Sequence, residues 1–356
     1  MAGTSPRAER RGRWTRTAIA SVAIGGLALF VAAEWSQVAD AATLLVHAEP
    51  WWIAWGCAAS VLSIVLFAAV RSTLLAAGGA HLGLGRSSAA SFAAGAVAAS
   101  LPGGGAIATG YMVQRYREAG ADGGLAAWTT IATGVVAPSV LVFITLGGYG
   151  VGGSGLGDHP LRVVVPAVAA VALLGGFFAI AHSPSLLRRP AEACIRVWNW
   201  VRRRWSHVTD ADLVDPGIAA DRFVESFGSV HPGPARWASA WGLQVLSWAG
   251  ELVALFAAIA AVGGTLPHEP SGWGRLVAIY GAAQLAGAIP IIPGGAGQVE
   301  AALVVGLVAT GTDESTAIAA SVAFRLMSHW LVVPVGWVCF VALRRRGADL
   351  PRPPDS

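Results

Sequence analysis

From Leu125 to Leu146 the chain carries no charged residue. That exceeds the roughly 18 apolar residues that mark a membrane-crossing helix. Comparable apolar runs cover about Thr17–Ala33, Trp51–Val70, Leu161–Ala181, Trp237–Val262 and Ser315–Leu343. Hydrophobic residues make up 55% of the chain and charged residues 12%, well below the roughly one quarter charged in a soluble domain. The predicted fold class is therefore an all-α polytopic membrane protein. The basic N-terminus followed by Thr17–Ala33 also has the shape of a signal peptide. A retained first helix is preferred because the chain continues as a multispan protein.

Two stretches interrupt this pattern. Ile289 to Glu300 reads I-P-I-I-P-G-G-A-G-Q-V-E, inside an apolar run from about Leu276 to Val308. A shorter copy, Leu101-Pro102-Gly103-Gly104-Gly105-Ala106, lies in the first half. Proline removes a backbone donor and glycine is a weak helix former, so neither stretch predicts an unbroken helix.

Arginine counts set the expected topology, because basic residues mark cytoplasmic loops. The N-terminus has five, the polar stretch Ser183–Arg236 eight and the tail four; Glu34–Pro50, Gly147–Pro160 and Gly263–Gly274 have none. If both broken segments were ordinary crossings, the eight-Arg stretch would lie outside. Making Ser87–Met112 a hairpin from the cytoplasmic side, and the second break a hairpin from the outer side, removes the conflict. The expectation is six crossings plus two opposed re-entrant hairpins, with both termini cytoplasmic. The alternative is two Gly/Pro-rich crossings and an exception to the arginine rule. The division is a basic N-terminus (1–16), one membrane domain (17–343) and a tail (344–356). Within the domain, repeats at about 52–182 and 237–343 flank a linker at 183–236. Such inverted halves place transporter sites at their junction. In the linker, Leu187, Ala191, Cys194, Ile195, Trp198, Val201 and Trp205 recur at helical spacing. A helix lying on anionic headgroups and a solvated linker helix both fit that stripe.

The breaks carry the candidate chemistry. A helix restarting after Pro293, Gly294, Gly295 and Gly297, or after Pro102, Gly103, Gly104 and Gly105, exposes unpaired N–H groups suited to phosphate or carboxylate. A P-loop is excluded, since the chain has no lysine. Ionisable residues inside spans face a cavity or a partner. Three stand out here: Glu251, Glu300 and Arg325. Glu300 follows the glycines by one turn and would repel an anion, which favours pairing with Arg325 or proton linkage. His329, one turn beyond Arg325, suits packing or a proton relay. Tyr111 and Arg115 flank the first break, and Arg71 and Arg86 bracket a short loop. The cluster Asp210, Asp212 and Asp215 lacks the glycine and closing Glu of an EF-hand and reads as a solvated linker. Cys57, Cys194 and Cys339 show no metal-binding spacing. No catalytic constellation, cofactor site, metal site or nucleic-acid signature emerges.

The stretch P-I-I-P-G-G-A-G-Q-V-E at 290–300, with F-R-L at 324–326, resembles the flippase-like membrane domain of lysylphosphatidylglycerol synthases and their stand-alone relatives. S-L-P-G-G-G-A at 100–106, with Y-x-x-x-R-Y-R-E-A-G-A at 111–121, resembles the first motif of actinobacterial members. The resemblance maps the family's motif onto Pro293, Gly294, Gly295, Gly297 and Glu300, with the nearby arginine at Arg325. It departs at Gly104–Gly110, which is uncharged where many relatives carry an acid and a base. The resemblance implies movement of an aminoacylated or otherwise polar lipid between leaflets. With 13 residues after Leu343, it implies a stand-alone translocator without the aminoacyl-transferase domain. The expected partners are membrane lipids with anionic or lipid-linked headgroups. Competing expectations are an enzyme or accessory subunit acting on polyprenyl-linked sugars, and a proton-coupled small-solute transporter.

Overall fold

The computed structural model describes residues 43–101, 104–153, 183–205, 215–287, 297–330 and 332–348, with a few helical positions between 168 and 179. The expected crossings at Thr17–Ala33 and, for the most part, Leu161–Ala181 lie outside the described residues. So do Pro102, Gly103, Pro293, Gly294 and Gly295.

The described chain is helical. In order come α1 (Pro50–Leu75), α2 (Leu84–Ser100), α3 (Gly104–Glu118), α4 (Gly123–Val151), α5 (Arg188–Trp205), α6 (Pro216–Gly228) and α7 (Pro234–Ala261). Then follow α8 (Pro270–Gly287), α9 (Gln298–Ala309), α10 (Glu314–Arg325), a π turn (Leu326–Trp330) and α11 (Val332–Ala348). Four segments are long and apolar enough to cross a membrane: Pro50–Gly78, Gly123–Val151, Pro234–Ala261 and Glu314–Arg345. They coincide with four of the expected crossings. Many of their apolar side chains face outward, including Leu62, Phe143, Leu246 and Val338, as lipid contact requires.

The helices around the breaks are shorter. At 1.5 Å per residue, the 12-residue α9 reaches about 18 Å and the 15-residue α3 about 22 Å. Each falls short of the roughly 30 Å hydrocarbon layer. In both halves the helix after the break packs against the helix before it, α3 on α2 and α9 on α8.

The most extensive helix contact joins α1 to α7. Small residues line it, which lets backbones approach where lipid offers no hydrophobic drive for association. The Ser247 hydroxyl donates to the Ser63 carbonyl at 3.0 Å, with the two hydroxyls 3.2 Å apart. The Trp248 indole donates to the Ala137 carbonyl at 3.0 Å and ties α7 to α4. The next largest contacts are α2 with α11 and α4 with α8. One apolar core gathers Leu255, Tyr280, Leu303 and Phe324; a second gathers Leu74, Leu75, Tyr116, Trp128 and Phe227.

Outside the spans, caps and ion pairs order the polar segments. Asp215, from the acidic cluster, caps α6 by accepting from the Ile218 N–H at 2.9 Å. Arg188 pairs with Asp221 at 2.7 Å, joining α5 to α6. The amphipathic helix expected in the linker is present as α5, with Val197 and Trp200 exposed.

One local expectation needs correction. Arg71 does not border a loop, because α1 runs on to Leu75. Val70, Leu74 and Leu75 are fully buried there, and their helical spacing carries the helix past the charge. The last span carries its irregularity ahead of Pro334. The chain forms a π turn at Leu326–Trp330, and Pro334 sits in the first turn of α11. Proline cannot donate to the carbonyl four residues back and clashes with it. For Pro334 that partner is Trp330, the end of the π turn.

The α4–α8 crossing depends on missing side chains. A Cβ on Gly274 would lie 2.7 Å from the Gly148 carbonyl oxygen and 2.8 Å from the Val151 carbonyl carbon, while one on Gly147 would meet nothing within 4 Å. Gly274→Ala is expected to destabilise the detergent-purified protein by about 1–3 kcal/mol through overpacking. Gly147→Ala is expected to be neutral or stabilising by up to about 1 kcal/mol. Thermal unfolding of the two variants measures the contrast.

Asp122 caps α4, accepting from the Leu125 N–H at 2.8 Å and from the Ser226 hydroxyl of α6. Burial pushes its carboxyl up, but hydrogen bonds from Leu125, Ser226 and Gly124 outweigh that and hold it below its ordinary value. A depressed folded pKa means that the cap stabilises above the ordinary aspartate range and loses its effect as pH falls through the folded value. Asp122→Ala should cost about 0.5–1 kcal/mol at neutral pH. Thermal midpoints of wild type and variant should converge below about pH 4.

Candidate functional site

The restart of the chain at Gly297 builds the site. Gly297 has φ +83°, a left-handed conformation that a side chain would strain. It precedes α9, and its N–H would be an orphan donor at the helix start. Glu300 reaches back to satisfy it, Oε2 accepting from the Gly297 N–H at 2.8 Å, as the third-position acid of a capping box does. The other carboxylate oxygen, Oε1, accepts from Arg325 Nε at 2.7 Å. The Ser321 hydroxyl donates to the Glu300 carbonyl at 3.2 Å. One residue thus joins the start of α9 to the end of α10.

This is the Glu300–Arg325 pair expected from the sequence. The side chains are 25% and 9% exposed, so both ions are largely removed from water. Such a pair is costly to assemble and more costly to break singly, because the survivor is an uncompensated buried charge. Glu251, on α7, faces Ser63 of α1 within hydrogen-bonding reach and feels the Arg325 charge. Gln284 donates to the Tyr280 hydroxyl at 3.1 Å beside them. The three charged residues singled out inside the spans therefore form one polar node, with α1, α7, α9 and α10 each contributing.

The other expected residues lie apart from this node. Gly104 is buried where α3 folds against α2, and a Cβ there would press on the Ala98 carbonyl at 2.6 Å. Gly105 opens onto a cavity of about 570 Å³ between α1, α2, α3, α4 and the π turn. Tyr111 and Arg115 do not line that cavity. The Arg115 guanidinium stacks over the Tyr111 ring at 4.9 Å and pairs with Glu118 at 2.7 Å. Tyr111 packs on Phe340 of α11. The Tyr111 hydroxyl and Arg115 Nε are buried without a hydrogen-bond partner among the described residues.

His329 and Ser328 reach the cavity from the π turn. π turns recur at functional positions, and here the turn separates Arg325, held by Glu300, from His329, which lines the cavity. Two cavity residues escaped the sequence reading. Arg71 falls just past the most apolar part of its helix, and Tyr116 lies in a charged run. The signal that finds Arg71 is the spacing Val70, Leu74, Leu75, which places the charge inside a buried helix.

The profile of the lysylphosphatidylglycerol synthase TM region matches residues 18–336. No curated protein matches the chain.

Removing one member of the ion pair should cost more than removing both. Arg325→Gln or Glu300→Gln alone is expected to lose about 3–5 kcal/mol. The Glu300→Gln/Arg325→Gln double variant should recover part of that. Thermal unfolding of the four proteins closes the double-mutant cycle.

Proposed function

The chain belongs to the lysylphosphatidylglycerol synthase TM-region family, and from that premise we propose that it is a lipid translocase. It moves a phospholipid or a lipid-linked polar headgroup between the leaflets of the cytoplasmic membrane. The family is associated with membrane lipid modification and translocation.

The observation that carries the reading is the pairing of helices. Exchanging the halves of the chain maps α1 onto α7, α2 onto α8, α3 onto α9, and α4 onto α10 with α11. Under that exchange the α1–α7 contact maps onto itself, α2–α11 becomes α8–α4, and α2–α3 becomes α8–α9. Two structurally equivalent halves would pair in this way. Together with the arginine distribution, it supports an inverted repeat in which α2–α3 and α8–α9 are re-entrant hairpins from opposite faces. Both termini are then cytoplasmic. Helices too short to span the hydrocarbon suit such hairpins, because broken backbone at that depth must be covered by protein or line a cavity.

In this reading the α1–α7 seam is the axis, and the Glu300–Arg325–Glu251 node lies beside it. The halves rock against each other to open the polar interior to one leaflet and then the other. The node offers a lipid headgroup a polar path while the acyl chains stay in the bilayer. Gly105 and Gly297, each with open space beside it, supply the backbone approach at the two breaks. Tyr111 and Arg115 meet headgroups near the cytoplasmic entrance.

The test is leaflet exchange in liposomes holding the purified full chain and a fluorescent phospholipid, read by quenching of the outer leaflet. Protein-containing vesicles should exchange lipid at least ten times faster than empty ones. The Glu300→Gln/Arg325→Gln double variant should lose most of that gain while retaining wild-type elution on size exclusion. Equal rates with and without protein, for phospholipid and lipid-linked sugar alike, would overturn the proposal.

A further inference from the structure

The cavity between α1, α2, α3 and α4 holds a cation in a setting that its structural contacts do not exhaust. Arg71 lines it from α1. Its Nη1 donates to the Ser91 hydroxyl at 2.9 Å, and its guanidinium lies 4.3 Å from the Phe67 ring centre. A guanidinium has five N–H donors, and one is used in these contacts. No carboxylate pairs with Arg71 among the described residues, and no acid lines the cavity. In contrast, Arg325 is paired with Glu300 and Arg115 with Glu118.

A second group points the same way. Tyr116 is 2% exposed, lines the cavity and interacts electrostatically with Arg71. Among the described residues nothing hydrogen-bonds its hydroxyl. The hydroxyls of Thr130 and Thr133, also in the lining, donate to carbonyls of their own helix, which leaves their oxygen lone pairs facing incoming donors. The rest of the lining is mostly apolar, with Thr109, Ser328 and His329 as its other polar members. The volume of about 570 Å³ lies in the range of small-molecule sites.

We propose that this cavity binds a net-anionic phosphodiester, its phosphate gripped by Arg71 with Tyr116 donating from the opposite wall. Guanidinium and phosphate match in shape as well as charge. The acid-free lining offers no counter-charge to a choline or ethanolamine ammonium, so net-anionic headgroups are favoured over zwitterionic ones. Hydroxyls on the headgroup meet Thr130 and Thr133. The inference rests on the translocase reading for the source of the ligand, a membrane phospholipid, and names the headgroup chemistry that reading left open.

The experiment is native mass spectrometry of the detergent-purified full chain, titrated separately with phosphatidylglycerol, phosphatidylcholine, glycerol 3-phosphate and inorganic phosphate. Wild type should retain one phosphatidylglycerol about ten-fold more strongly than phosphatidylcholine. Arg71→Gln should lose that preference by about ten-fold, the scale of one charge-assisted hydrogen bond, and Arg71→Lys should keep part of it. Tyr116→Phe, which removes only a hydroxyl, should weaken phosphatidylglycerol several-fold and serves as the probe if Arg71→Gln fails to fold. A structural role for Arg71 would change thermal stability but not the ratio of the two lipids. Retention of phosphatidylglycerol with no competition from the soluble phosphates assigns the site to lipid. Competition by them assigns it to phosphate anions generally and still supports the site.

Equal retention of both lipids by wild type, or a preference unchanged in folded Arg71→Gln and Tyr116→Phe, would overturn it. Arg71-dependent binding without leaflet exchange sinks the translocase reading and leaves the site standing. Exchange with an Arg71-independent lipid preference does the reverse.

Discussion

A bilayer supplies no hydrogen-bond partners, so each polar group inside it must be answered by another part of the chain. Glu300 meets that demand three times over. Its carboxylate caps the Gly297 N–H, neutralises Arg325, and its carbonyl accepts from Ser321. Those contacts fix where α9 begins and where α10 ends. Without them the restart after a Pro/Gly break would leave an orphan donor and a buried guanidinium in the same place. The Ser63–Ser247 contact does comparable service at the α1–α7 seam, where small residues also let the two longest-packed helices meet.

The same rule governs how much of the molecule was legible beforehand. Long apolar runs announce α1, α4, α7 and the α10–α11 span, because hydrophobic length is a property of sequence alone. The Glu300–Arg325 pair was legible for a related reason: few ionisable residues occur in the spans, and each needs an answer. What was not legible follows from three-dimensional placement. Hydropathy ends α1 near Val70, yet burial of Leu74 and Leu75 extends it and turns Arg71 inward. Pro334 signals a disruption, but its effect falls four residues earlier, on the carbonyl it cannot serve. Tyr111 and Arg115 flank the first break in sequence, but they pack toward α11 and Glu118 and leave the cavity to Arg71 and Tyr116. Asp215 looked like part of an acidic cluster and is a helix cap.

Two polar centres result, and they differ in kind. At the node the Glu300–Arg325 pair sets acid against base and is closed on itself. The cavity beside Arg71 carries charge of one sign. A closed pair resists hydration and holds helices in register; an unbalanced cation draws in whatever complements it. Under the proposed translocation both properties have a use, in different places.

The π turn at Leu326–Trp330 lies between these centres. It holds one more residue per turn than the helices on either side, so α10 and α11 are wound as one rod with two phases. Arg325 takes its bearing from Glu300 in the second half of the chain, while the π turn packs on α1 in the first and His329 lines the cavity there. The segment acts as a splice, with each end indexed to a different half. If the halves move relative to each other, the strain collects in five residues already departed from the α-helical ladder, and the long helices need not bend.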